Sequence, residues 1–96
     1  MAIVNPQPLQ ANGQEYPFFG VSLAMSTRQE GSGMALALVV TLTPYRAIDG
    51  GIELFEEGNR VMVWGNALQQ AQTDLHLAKF LIAIQEAGQA FVSEAL

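Results

Sequence analysis

The sequence predicts an α+β domain in which an antiparallel meander of about four strands packs against a long C-terminal helix. Three observations lead to this prediction. Apolar and small or polar side chains alternate with a period of two along the first half of the chain. Turn sequences such as Asp49-Gly50 separate the segments that follow. After Gly65-Asn66 the apolar residues recur at helical spacing.

The N-terminal segment, residues 1–15, is predicted to be an extended arm that precedes a single domain of residues 16–96. Asn5-Pro6-Gln7-Pro8 disfavours a helix and a central strand, because proline fixes φ and has no N–H to donate. Asn12-Gly13 is a turn signal. Two interpretations remain open: a frayed terminus, or an arm that reaches onto a neighbouring subunit.

Two strands are predicted from alternating patterns, at 16–26 and 34–43. In the first, the odd positions carry the larger apolar side chains, namely Phe19, Val21, Leu23 and Met25. The second carries no charged residue on either face. We therefore expect it to be central and covered on both sides. The polar, glycine-containing segment between them, 27–33, is predicted to be a loop.

Two further strand segments are predicted, at 45–56 and 60–64. Pro44 is expected to interrupt or border the sheet. Within 45–56, Asp49-Gly50 predicts a two-residue hairpin turn, because both positions tolerate a positive φ. Glu57-Gly58-Asn59 predicts the turn into the last strand. Successive hairpin connections of this kind predict an antiparallel meander.

A helix is predicted over 67–95, with Asn66 and Thr73 as candidate N-caps. Unbroken, it would be about 43 Å long, whereas a compact domain of this size has a radius of gyration of only about 12–13 Å. The helix is therefore expected either to break, near Thr73 or Gly88, or to project past its own sheet and pack on another chain.

The composition predicts more apolar surface than a single small subunit can cover. Half of the residues (50%) are hydrophobic and only 14% are charged, whereas soluble domains carry about a quarter charged residues. A domain of this size buries only about 60–65% of its unfolded surface. Exposed apolar area on a folded protein usually marks an interface.

The charge pattern argues against two classes of partner. The formal net charge is −5, and the four basic residues, Arg28, Arg46, Arg60 and Lys79, are scattered along the chain. Nucleic-acid binding needs clustered cations to neutralise phosphates, and anionic membrane surfaces attract the same clusters. We therefore expect neither partner.

The N-terminus lacks the features of a signal peptide. The longest apolar run, Met34–Val40, is far shorter than the ~20 residues that span a bilayer. A cytoplasmic location is expected.

No pattern for catalysis, for a metal or for a cofactor is present. The chain has no cysteine, and its one histidine, His76, has Asp74 two residues away and therefore on another side of a helix. The acidic residues Glu53, Glu56 and Glu57 are typical of solvated charge at a hairpin tip. Gly31-Ser32-Gly33 lacks the Lys-Ser/Thr of a phosphate-binding loop. We expect a protein that is not an enzyme.

Candidate interface residues follow from the same pattern. Between Leu75 and Ile84 only His76 and Lys79 are polar, so a helix there needs burial on more than one side. Phe19, Trp64 and Phe80 are the aromatic residues expected in a core, and Tyr45-Arg46 pairs two residue types common in binding hot spots. The predicted interface comprises Phe18, Tyr45, Arg46, Leu77, Phe80, Leu81, Ile84 and Phe91.

In general style the chain resembles the small structural proteins of tailed-phage virions. The resemblance lies in the Pro/Asn/Gln-rich arm of residues 1–12, the short-hairpin sheet, the apolar helix of residues 75–96 and the lack of cysteine. It implies a non-enzymatic, symmetric assembler within a virion. The expected function is homo-oligomeric packing through the helix and the small strand face, with the arm as a tether. The alternative is a ligand-binding or regulatory module with an apolar pocket between helix and sheet, where Arg28 or Arg46 would orient an anionic group.

Overall fold

A computed structural model describes residues 3–95 and confirms the α+β class. It contains a five-stranded sheet, a short 3-10 helix and two α-helices. In chain order these elements are β1 (Ile3–Ala11), β2 (Gln14–Glu30), β3 (Gly33–Ile48), β4 (Gly51–Leu54), the 3-10 helix (Glu56–Gly58), β5 (Arg60–Trp64), α1 (Ala67–Gln70) and α2 (Leu75–Ala95).

The segment predicted to be an unpaired arm forms β1 over its described residues, antiparallel to β2. The prolines are accommodated by an irregularity: between Val4 and Leu9 the chain advances five residues, while β2 advances only two, from Phe18 to Tyr16. Asn5 is buried in this bulge, and its Oδ1 accepts a hydrogen bond from the Gln7 N–H at 2.9 Å. The bulge removes the need for proline N–H donors, and β1 is the end strand of the sheet order, so the prolines are compatible with it although they disfavour a central strand.

The hairpin of β2 and β3 is much longer than predicted. Most of the predicted loop at 27–33 is strand, and the turn occupies only Gly31-Ser32. Gly31 has a φ of +61°, a value that glycine adopts without strain. β3 also continues through Pro44, whose carbonyl accepts a hydrogen bond from the Phe55 N–H at 2.9 Å. Pro44 therefore neither interrupts nor ends the strand.

The end of the predicted meander is arranged differently. The Asp49-Gly50 turn joins β3 to β4 as expected, with Ile48 opposite Gly51. β5, however, pairs with β3 and not with β4. The 3-10 helix replaces the predicted turn and carries the chain past β4, so the last connection is not a hairpin.

Internal contacts divide the chain into two compact units. The first comprises the described residues of Met1–Met25 together with Leu38–Val63, and the second those of Ser26–Ala37 and Trp64–Leu96. That residues 16–96 behave as one domain stays a prediction. The core of the first unit contains Tyr16, Phe19, Leu38, Val40 and Pro44.

Aromatic packing closes the first unit around the 3-10 helix. The Tyr16 and Phe55 rings stack with their centroids 5.4 Å apart. The guanidinium of Arg60 lies 5.5 Å from the Phe19 ring centroid, within cation–π range. At Gly58, a Cβ atom would stand 2.9 Å from side-chain carbons of both Leu9 and Phe55, so only glycine fits without displacing its neighbours.

In the second unit the predicted helix breaks after α1, near Thr73, and α2 then runs unbroken through Gly88. Asn66 caps α1 as predicted: its Oδ1 accepts from the Gln69 N–H at 3.5 Å and also from the Leu36 N–H of β3 at 3.4 Å. The candidate cap Thr73 was wrong for α2. The Asp74 Oδ1 accepts from the Leu77 N–H at 3.1 Å instead.

Replacing Asp74 with alanine is expected to destabilise the chain by about 1 kcal/mol, because the first turn of α2 loses its side-chain acceptor. Urea unfolding followed by circular dichroism measures the change. Asp74→Asn, which keeps the acceptor oxygen, is the matched control and should stay close to the unsubstituted protein. Equal destabilisation by both substitutions would contradict the capping role.

Candidate protein interface

Exposed apolar side chains outnumber buried ones in the described part of the chain. Among residues 3–95, the buried hydrophobic set has eight members: Tyr16, Phe19, Ala35, Leu36, Leu38, Val40, Ala67 and Leu77. Seventeen large hydrophobic side chains are exposed: Ile3, Val4, Val21, Leu23, Met25, Met34, Ile48, Ile52, Leu54, Val61, Met62, Val63, Leu68, Leu75, Ile82, Phe91 and Val92. Single exposed apolar residues are ordinary, so what matters is whether members of this set lie together on one face.

One exposed apolar row follows the C-terminal half of β2. Val21, Leu23 and Met25 alternate on one face of the strand and are 45%, 46% and 43% exposed. Every residue from Val21 to Glu30 is exposed. No charged residue occurs in β2 between Tyr16 and Thr27. This row is an uncharged surface on a regular strand, which favours contact with another protein chain.

A second exposed apolar surface lies at the C-terminal end of α2. Leu77, Ile84 and Phe91 follow one another at intervals of seven residues and so share a face of the helix. Along this face the side chains become progressively less covered: Leu77 is buried, Ile84 is half-buried and Phe91 is 72% exposed. From Gln89 to Ala95 all residues are exposed. The cover of this face therefore ends before the last two turns of α2.

Three of the predicted interface residues have partners within the first unit. The half-buried Phe18 ring packs on Tyr45, with their centroids 5.4 Å apart. The Arg46 guanidinium pairs with the Glu53 carboxylate across β3 and β4. These contacts cover part of each side chain, so the pairs contribute to the packing of the sheet.

The helical members of the predicted set are in three different environments. Leu77 is 3% exposed, so its side chain is already covered within the chain. Its place in the predicted interface stays a prediction. Phe80, Leu81 and Ile84 are half-buried, and Phe91 is the one of the five that is largely exposed.

Sequence reasoning did not single out the apolar row of β2, or Val61 and Val63 of β5, which are 58% and 66% exposed. The period of two identified each of these segments as a strand. It could not show which neighbour each face would have, since that depends on segments far away in the chain. The absence of charge from β2 between Tyr16 and Thr27 was the signal that could have indicated contact there.

The candidates for chemistry remain apart from one another. His76 is exposed on α2. Within residues 3–95, no three His, Asp or Glu side chains are close enough together to hold a metal ion. No buried side-chain nitrogen or oxygen of the described residues lacks a hydrogen-bond partner.

A depression of about 540 Å³ lies at the tip of the β2–β3 hairpin, lined by Thr27, Arg28, Gln29, Ser32, Gly33 and Met34. The Arg28 guanidinium donates a hydrogen bond to the Gly65 carbonyl at 3.2 Å and lies 3.5 Å from the Glu30 carboxylate. These contacts already use part of its capacity to bind an anion. Its lining comes from the hairpin alone, whereas the pocket expected of a ligand-binding module lies between helix and sheet.

Among residues 3–95, neither α-helix is both long and apolar enough to traverse a bilayer. Comparison of the chain with protein-family models, with curated proteins and with solved structures found no match.

Proposed function

We propose that this chain is a non-enzymatic structural protein that acts by assembling with further copies of itself. The observation that carries the proposal is the excess of exposed over buried large apolar side chains in residues 3–95. At about 25 cal/mol per Å² of apolar surface removed from water, covering such side chains drives association.

A second copy is the partner that this surface fits best. The row of Val21, Leu23 and Met25 carries no charge, so it offers no electrostatic feature that would select a different protein. Every copy presents the same patches at the same concentration, and most soluble oligomers are closed symmetric assemblies of identical chains.

The virion of a tailed phage is the setting that we propose for such an assembly. Support comes from the general resemblance described above and from the excess of exposed over buried apolar side chains. Such an excess suits a subunit whose apolar surface is covered only within an assembly. In that setting the chain contributes packing surfaces and no chemistry.

The alternative, a ligand-binding module, has less support. In that alternative, Arg28 or Arg46 would bind the anionic group of the ligand. Both guanidinium groups already pair with a carboxylate within the chain. No further observation favours it over assembly.

Purified chain at micromolar concentration is expected to have a mass of at least twice 10.4 kDa, because its exposed apolar side chains are covered in the oligomer. Size-exclusion chromatography with multi-angle light scattering measures the mass. A dilution series provides the control, since a specific oligomer dissociates to one smaller species while a nonspecific aggregate shows a broad range of masses. A monodisperse monomer throughout the series would overturn the proposal.

A further inference from the structure

Within residues 3–95, the C-terminal half of β2 has a strand neighbour on one side only. β1 pairs with β2 as far as Ile3 opposite Phe19. In the described sheet, the two neighbours of β2 are β1 and β3. From Gly20 to Glu30, therefore, the side of β2 away from β3 presents backbone N–H and C=O groups with no described strand beside them. We call Gly20–Glu30 the free edge.

The free edge lacks the usual protection against strand pairing. Exposed edges are normally very short, or carry proline, a bulge or an inward-pointing charge. This one is eleven residues long, contains no proline, and its first charged residue is Arg28. β1, by contrast, carries Pro6, Pro8 and a bulge. An edge that is long, regular and uncharged over most of its length, from Gly20 to Thr27, is a template for another strand.

We propose that the free edge pairs antiparallel with the free edge of a second copy, about a two-fold axis at Met25. This inference rests on the proposed self-assembly and names its surface. Overlap of Gly20–Glu30 with itself over its whole length places Met25 opposite Met25. The pairing satisfies the backbone groups of both edges, which is the source of affinity when a strand is added to a sheet.

A second copy suits this edge because its Met25 meets the Met25 of the first copy at the centre of the contact. In that register, Leu23 lies opposite Thr27 and Ala24 opposite Ser26. Opposite residues of an antiparallel pair share a face. The apolar row of Val21, Leu23 and Met25 in one copy therefore meets the same row of the other copy at Met25. The two Met25 side chains at the centre become less exposed.

The charges fit the same register. Arg28 lies opposite Ser22 and Glu30 lies opposite Gly20, so no two like charges face each other. Like charges directly opposite would destabilise the pair. An isologous contact of this kind also closes on itself, which limits strand addition along this edge to two copies.

Single-cysteine cross-linking tests the contact directly, because the chain contains no cysteine of its own. Met25→Cys is expected to form covalent dimers rapidly on mild oxidation or with a short bis-maleimide, since directly opposite Cβ atoms are about 4.5–5.5 Å apart. Ile52→Cys on β4 is the matched control. Ile52 is an apolar strand residue, 56% exposed against 43% for Met25, and should cross-link far more slowly. Equal rates for the two variants would overturn the inference.

A charge pair at Ser22 tests the register without changing an apolar residue. Ser22→Arg places a second guanidinium opposite Arg28 of the partner and is expected to raise the dissociation constant roughly 2- to 30-fold, because the two-fold axis creates the contact twice. Ser22→Glu faces the same Arg28 with a carboxylate and should bind at least as tightly as the unsubstituted chain. Sedimentation velocity measures both. Equal or reversed effects would count against the register at Met25.

The outcomes separate this inference from the proposed function. An oligomer in which Met25→Cys cross-links no faster than Ile52→Cys would leave self-assembly in place and remove the free edge as its contact. A monomeric unsubstituted chain would remove both. Melting temperatures of the cysteine variants, compared with that of the unsubstituted chain, show that each is folded in the assay.

Discussion

Replacement of Leu38 with alanine is expected to lower the free energy of unfolding by about 3 to 5 kcal/mol and the melting temperature by more than about 10 °C. Leu38 is 0% exposed and is among the largest fully buried side chains of the described residues. Removing its terminal carbons leaves a cavity that the neighbouring strands of a sheet cannot close, because their spacing is set by backbone hydrogen bonds.

Urea unfolding at one fixed protein concentration measures this change, since association would otherwise contribute to the apparent stability. Met34→Ala is the matched control, because Met34 lies on the same strand and the same face but is 59% exposed. We expect that substitution to cost less than about 1 kcal/mol. Similar losses for the two variants would contradict the assignment of Leu38 to the core.

Replacement of Phe91 with glutamate is expected to raise the dissociation constant of the oligomer by about 30-fold or more, the effect of losing an aromatic hot spot. Phe91 shares a face of α2 with Leu77 and Ile84. Those two side chains are buried or half-buried, whereas Phe91 is 72% exposed in the single chain. If a second copy packs against this face, the Phe91 ring becomes buried in the contact, where the carboxylate of a glutamate would be strongly disfavoured.

Light scattering over a dilution series measures the change in association, and far-UV circular dichroism shows whether α2 remains helical. Ser93→Glu introduces the same charge two residues away, on another side of the helix, and should leave the dissociation constant nearly unchanged. If Phe91→Glu had no greater effect than Ser93→Glu, the end of α2 would not be part of the contact.

The free edge lies on β2 and the exposed end of the helix lies on α2. Each test changes only one of them, since Ser22 and Met25 lie on β2 while Phe91 lies on α2. Two contacts per subunit are what a structural assembly larger than a dimer needs.

Several features of the fold could be predicted from short stretches of sequence, because they depend on local chemistry. The Asp49-Gly50 hairpin is one, since Gly50 adopts a φ of +84° that few other residues tolerate. The Asn66 cap is another, because a short side chain reaches the N–H groups of the following turn. The change from strand to helix after Gly65-Asn66 also follows from the period of the apolar residues.

Features that depend on distant segments were predicted incorrectly. Pro6 and Pro8 indicated an unpaired arm, yet β2 accepts β1 because a bulge absorbs the residues that cannot donate. Glu57-Gly58-Asn59 indicated a hairpin, yet β5 pairs with β3.

By itself, the sequence determined the α+β class, the strand and helix segments, the absence of any cysteine chemistry and the surplus of apolar residues, because composition and periodicity are properties of the chain alone. Only the tertiary structure decided where that surplus is exposed. The exposure of Phe91, the burial of Leu77 and the free edge of β2 follow from which segments cover which faces. That choice is made by contacts between residues far apart in the chain, which no local pattern contains.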